Sequence, residues 1–164
     1  MTLEPYMSTN LITQIHIVTA TIAVVIGPFA LFRRRRDRLH KMSGYVWVIA
    51  MATAALSSFG ITSFGVVGPF SPIHLLAILA LWSLWVAMRA VFAGKIKTHE
   101  EAMKSLYWNG LLVAGAFQFL PGRSTNRVFF GDQQEHGYIV LALVLAAIVG
   151  RVIRRRMTIA AVSA

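Results

Sequence analysis

Cysteine is absent from this chain of 164 residues, and charge is scarce. The first absence excludes disulfides, thiolate metal sites, iron–sulfur clusters and cysteine nucleophiles, and makes the chain indifferent to thiol redox conditions. The second constrains more: charged residues are 13% of the chain, against ~25% in ordinary soluble domains. Acid is the scarcer sign, with 6 Asp and Glu set against 16 Lys and Arg. Residues 42–88 contain neither sign at all. One helical crossing of a bilayer's hydrocarbon core takes roughly 20 apolar residues, so this stretch is long enough for two crossings and a turn. Gly65, Gly68, Pro69, Ser71 and Pro72 cluster where that turn would fall.

Catalytic signatures are missing as well. The sequence has no Gly-rich phosphate loop, no GxSxG elbow, no HExxH pair and no acidic pair inside an apolar run. Ser57 and Ser58 have no base near them in sequence. These absences favour a non-enzymatic reading, with an intramembrane enzyme left as an alternative.

What is present is apolar: 57% of the residues are hydrophobic, with a mean hydropathy of +0.65. These runs predict a single all-α domain over residues 1–164, an integral membrane bundle of about five transmembrane helices. Their expected bounds are residues 11–32, 44–64, 73–92, 105–120 and 137–153. The segment Met1–Asn10 lacks the positive n-region of a secretory signal, so the first run reads as a retained helix. The last run meets Arg151 early and would span only if that side chain snorkels to the interface.

Basic residues set the orientation. Arg33 to Arg36, Arg38 and Lys41 follow the first run, Lys95, Lys97 and Lys104 follow the third, and Arg151 and Arg154 to Arg156 mark the tail. All three groups fall on one side, which the positive-inside rule makes cytoplasmic, with the N-terminus outside. The arginine run is thus a topology signal near anionic headgroups, and no nucleic-acid partner is expected. The expected location is the bacterial cytoplasmic (inner) membrane. The expected partners are the lipid bilayer and another membrane protein or a second copy of the chain.

Inside the runs, Ala50, Ala54 and Ser58, and likewise Gly110 and Ala114 beside Gly115, repeat at the spacing that lets helix backbones approach closely. Gly27 and Pro28 interrupt the first run, where proline removes a donor. Arg89 is the one charge well inside a run. It is expected to snorkel past Phe92, with pairing to Glu100 or Glu101 as the alternative.

Histidine carries the chemistry. His40 and His99 sort to the cytoplasmic side and His16, His74 and His136 to the outer side. Two layers of imidazole on a helical bundle are the pattern of bis-histidine haem b proteins, with His40 and His99 as one pair and His16 and His74 as the other. No run carries two histidines, however, as di-haem proteins of that type commonly do. His16, His74 and His136 are alternatively a three-imidazole metal set with Asp132 or Glu135 beside it, although no spacing specifies one. On a helix His99, Met103 and Tyr107 share one face, and a quinone carbonyl or a lipid headgroup would suit it. Interfacial anchoring by these side chains is the plainer account.

Two short motifs go further. His40, Lys41, Met42, Ser43, Gly44, Tyr45, Val46, Trp47 opens the second run, and His99, then Met103, then Tyr107 opens the fourth. Over roughly His16 to Arg123 the chain resembles a family of uncharacterised bacterial multi-pass membrane proteins, a domain of unknown function. In that family a His-Arg-x-x-Gly segment opens one helix and His-x-x-x-Met a later one. Lys41 stands where the family has Arg, which removes a planar bidentate guanidinium. The resemblance implies a fold and a location but no reaction. The reading that follows is a structural or accessory subunit of a membrane assembly, with a haem- or quinone-binding electron carrier and a small transporter as alternatives.

Overall fold

A computed structural model of the chain describes residues 4–33, 35–61 and 72–163, and every regular element among them is helical. After a single turn α1 (Glu4–Met7), the long helices are α2 (Leu11–Phe32), α3 (Arg38–Ser58) and α4 (Pro72–Phe92). Then come α5 (Ile96–Ser105), a π-helical stretch Leu106–Leu111, α6 (Leu112–Phe117), α7 (Ser124–Phe130) and α8 (Gly137–Ser163). Three stretches among the described residues are long and apolar enough to cross a membrane: Leu11–Phe32, His74–Phe92 and Gln134–Thr158.

Caps explain where the helices start. Asn10 accepts from the Thr13 N–H at 2.8 Å and opens α2, and Asp37 accepts from the His40 N–H at 3.0 Å and opens α3. The second helix therefore begins six residues before the expected Gly44, because polar residues fill its first turn, and it ends at Ser58 rather than at Phe64. The fourth begins at Ile96 rather than Ser105 for the same reason, and ends at Phe117 rather than Leu120. The expected turn residues Gly65, Gly68, Pro69 and Ser71, and the expected end at Phe64, lie outside the described residues. Pro72 opens α4, where a missing N–H costs nothing.

The chain's contacts gather into two compact units, Met7–Leu111 and the set Met1–Tyr6 with Leu112–Ala164. In the first, α2 and α3 form an antiparallel pair. Trp47 Nε1 donates to Ala23 O at 3.0 Å, and His16 Nδ1 donates to Ala54 O at 2.8 Å. A Cβ on Gly27 would overlap the Tyr107 ring and stand 3.0 Å from Trp47 Nε1, so glycine is what lets these rings reach the α2 backbone. The interior is lined largely by alanine: Ala23, Ala30, Ala50, Ala54, Ala77 and Ala87 are all buried. Phe29, Ile49, Leu56, Trp82 and Phe92 are instead exposed. Small residues inside and large apolar ones outside is the distribution of helices packed by close approach within lipid. The Ala50, Ala54, Ser58 stripe is consumed in this interior.

A tight turn leads from α4 into α5. Lys95 N–H bonds to Ala90 O at 2.8 Å and Gly94 N–H to Val91 O at 3.1 Å, with Gly94 at φ 70°. This is a Schellman cap, whose left-handed position favours glycine. Arg89 lies exposed with its guanidinium 5.0 Å from the Trp85 ring centroid, a cation–π contact. The alternative pairing with Glu100 is not formed, since Glu100 pairs with Lys104 at 2.5 Å.

In the second unit, Asn126 is 0% exposed. Its amide donates to Phe119 O and, at 2.8 Å, to Gln134 O. Gln134 in turn accepts from the Gly122 N–H at 2.7 Å. A Cβ on Gly137 would collide with Phe119 O and with Asn126, so the start of α8 is locked to this polar staple. α8 runs ten residues past the expected end at Ile153.

Candidate functional site

The turn between α4 and α5 lets α5 fold back on α4, and His99 uses that proximity: its Nδ1 lies 2.9 Å from Ala87 O. A carbonyl only accepts, so Nδ1 carries the proton. In the neutral tautomer with that proton on Nδ1, the lone pair is on Nε2. Asp37, by capping α3, sets His40 in the first turn of that helix. Neither ring nitrogen of His40 has a hydrogen-bond partner among the described residues, and its Nδ1 is buried.

Both histidines line one cavity of about 590 Å³ in the first unit. Its polar end is formed by Arg33, Arg36, His40, Lys41, His99 and Glu100, and its apolar walls by Trp47, Val48, Met88, Val91 and Met103. The i, i+4 spacing puts Gly44 on the cavity beside His40 and Met103 beside His99. A Cβ on Gly44 would meet no protein atom within 4 Å. Glycine there keeps one wall of the cavity open.

Charge at the polar end is unevenly neutralised. Arg33 is paired with Asp37, its Nε 2.9 Å from Oδ1. That guanidinium, with the His40 N–H second, holds the Asp37 carboxyl far below the usual carboxylate range. Lys104 likewise lowers Glu100. Among the described residues no acid forms a salt bridge with Arg36 or Lys41. The cavity thus joins two cations outside any salt bridge, of which Arg36 still acts at longer range on Glu100, and two imidazoles to an apolar interior, a combination that receives an anionic or hydrogen-bond-accepting head on an apolar body.

The other expected site residues lie elsewhere. Tyr107 does not line the cavity; it lies in the π-helical stretch that begins at Leu106. Its hydroxyl donates to Val24 O at 3.2 Å instead. His16 is tied to the α3 backbone, with Ser57 Oγ 3.2 Å from the same nitrogen. His74 is buried, its ring 5.7 Å from Phe59. His136 is exposed against Phe130, beside a polar recess that Asp132 and Glu135 also line. Among the described residues no group of three or more His, Cys, Asp or Glu side chains could hold a metal ion.

A family model described as a predicted membrane protein, DUF2306, matches residues 13–159. The chain belongs to the DUF2306 family. The DUF2306 match contains all five histidines and every residue of the cavity. No curated protein and no solved structure matches the chain. Sequence reasoning found four cavity residues of this DUF2306 protein, His40, Gly44, His99 and Met103. It read Arg36 only as a topology signal and Trp47 only as part of a motif, and it passed over Met88 and Val91. The i, i+3 spacing of Met88 and Val91, one turn before Gly94, was the available signal.

Proposed function

We propose that this membrane protein works by holding an acidic amphiphile in the cavity between His40 and His99. It crosses the bilayer five times with its N-terminus outside, which sets the cavity at the cytoplasmic interface. The observation that carries the reading is the cavity's two-ended chemistry: Arg36 and Lys41, which form no salt bridge among the described residues, with His99 and the unpartnered His40 Nδ1 at one end, and Trp47, Met88, Val91 and Met103 at the other. Basic clusters at the cytoplasmic ends of membrane helices suit anionic groups, and the apolar walls suit the rest of such a molecule. No catalytic group set accompanies the cavity, so the protein serves as a ligand-holding accessory subunit of a membrane assembly. A quinone held by His99 and Tyr107 is disfavoured, since the Tyr107 hydroxyl is already engaged with Val24.

The test is extraction of the protein purified in mild detergent, followed by mass spectrometry of the released small molecules. An acidic amphiphile near one per chain is expected in the natural protein. It should be strongly depleted in Arg36→Glu/Lys41→Glu and in Gly44→Leu, which adds bulk on the cavity wall where a Cβ meets no protein atom within 4 Å. A natural protein that releases nothing above the detergent background, or variants that retain the molecule, would overturn the proposal.

A further inference from the structure

We propose that the amphiphile is a haem, held through iron by His99 and His40 with its propionates on Arg36 and Lys41. This inference rests on the ligand-holding reading above and names its ligand.

The coordination chemistry is the first argument. Among the described residues no three protein groups converge to hold a metal ion by themselves, yet two imidazoles line one cavity with no hydrogen-bond partner on Nε2 of either. A free metal ion in a protein usually asks for three or four side-chain ligands. Haem iron brings four nitrogens of its own and asks the protein for only one or two more. A pair of histidines is therefore an incomplete site for a bare ion and a complete one for haem.

The state of His99 is the second. Metal-bound histidines almost always donate the other ring N–H to a carbonyl or carboxylate, which fixes the tautomer and the ring plane. His99 already does this, Nδ1 to Ala87 O at 2.9 Å, which leaves Nε2 as the nitrogen for iron. His40 has no such anchor on Nδ1, so it is the weaker of the two ligands. The assignment is asymmetric, with His99 as the retained iron ligand and His40 as the exchangeable one.

The walls are the third. The haem macrocycle is flat and apolar on both faces, and its two propionates are anionic. Val48, Met88 and Val91 supply apolar surface, with the buried Trp47 and Met103 packed behind them, and Gly44 leaves space beside His40. Arg36 and Lys41 stand at the same end as both imidazoles and have no carboxylate salt bridge among the described residues. A cavity of about 590 Å³ lies within the ~300–1,000 Å³ range of cofactor-sized sites.

The test is the visible spectrum of the full chain, expressed in cells supplied with a haem precursor, purified in mild detergent and then titrated with hemin. The expected result is a Soret band that sharpens and shifts on addition of dithionite, at close to one haem per chain. His99→Ala should lose the band. His40→Ala should keep a weaker, five-coordinate, high-spin spectrum, a change that unfolding does not produce. Gly44→Leu should be colourless while remaining folded by circular dichroism. A folded natural protein that is colourless and does not take up hemin overturns the haem assignment. If that protein still releases another acidic amphiphile, depleted in Gly44→Leu, the ligand-holding reading stands without haem. If it releases none, both fall. Equal spectra in the natural protein and both histidine variants would also overturn the assignment.

Discussion

The hydroxyl of Tyr107 donates to the carbonyl oxygen of Val24 at 3.2 Å, the carbonyl that Pro28, four residues on, leaves without its helical donor. α2 nevertheless runs unbroken through Pro28. The bond is made from the π-helical stretch, 83 residues away in sequence. A buried acceptor stripped of its partner costs about 1–3 kcal/mol. Tyr107→Phe should therefore lower stability by about that amount, read as a denaturant or thermal midpoint in detergent. Pro28→Ala restores the helical donor, so Tyr107→Phe should cost less in that background. Additive effects in the double-mutant cycle would show that the proline has no part in the bond.

Gly27 lies in the same contact. Because a Cβ there overlaps the Tyr107 ring, Gly27→Ala should destabilise despite alanine's better helix propensity, by about 1–3 kcal/mol as an overpacking change. Gly44→Ala, on the open side of α3 with no protein atom within 4 Å, should be neutral or slightly stabilising in the same assay. Equal behaviour of the two variants would contradict the packing described.

Asp37 gives a pH dependence of known sign. Its carboxyl is depressed by the Arg33 guanidinium first and the His40 N–H second, so its contribution to stability is fully present above the ordinary carboxylate value, about pH 3.9. That contribution is lost only as the pH falls through the much lower folded-state value. Thermal midpoints should then be flat in this respect from neutral pH to about pH 4 and fall below it. Asp37→Asn keeps a cap acceptor and should remove that acid-side fall. An unchanged acid limb in the variant would assign the effect to other groups.

In the second unit, the Asn126 staple should dominate stability. Asn126→Leu leaves Phe119 O and Gln134 O without the donor they now share, at about 1–3 kcal/mol for a buried polar group. Gly137→Ala should be worse, since its methyl meets a backbone carbonyl that has no room to move. Protease sensitivity of residues 118–136 in detergent is the direct measurement, and an unaltered cleavage pattern in both variants would sink the idea.

The lack of cysteine makes the proposed five-crossing topology easy to test. Single cysteines at Lys97 and Asp132 should be labelled by an impermeant maleimide from opposite sides of sealed vesicles, Lys97→Cys from the cytoplasmic face. Labelling of both from one face would reverse or shorten the proposed topology.

How much of this was legible in the sequence differs from element to element. α2 was legible at both ends, because Asn10 caps it and Arg33 ends its apolar run. The starts of α3 and α5 were not, since apolar runs were taken as helices and both first turns are polar. His40 and His99 therefore stand within helices rather than ahead of them. The Asp37-x-x-His40 spacing of an N-cap was the usable signal. The shared face of His99 and Met103 followed from spacing of four, whereas Tyr107 escaped because nothing local in Leu106–Leu111 announces a π turn. The pairing of Tyr107 with Val24 depends on tertiary approach, which no window of sequence reports.

An interior lined by alanine reverses the usual pattern of tolerance to mutation. In a water-soluble core, truncation is the damaging change, because it leaves a void and forfeits burial. Here Ala23 and Ala87 are both 0% exposed and have almost nothing to lose, but they have everything to lose by growing. Drift at such positions should be confined to Gly, Ala and Ser, while Phe29, Leu56 and Trp82 on the outside exchange freely among large apolar residues. Variation in this protein would then be recorded as size on one face of each helix and as hydrophobicity on the other.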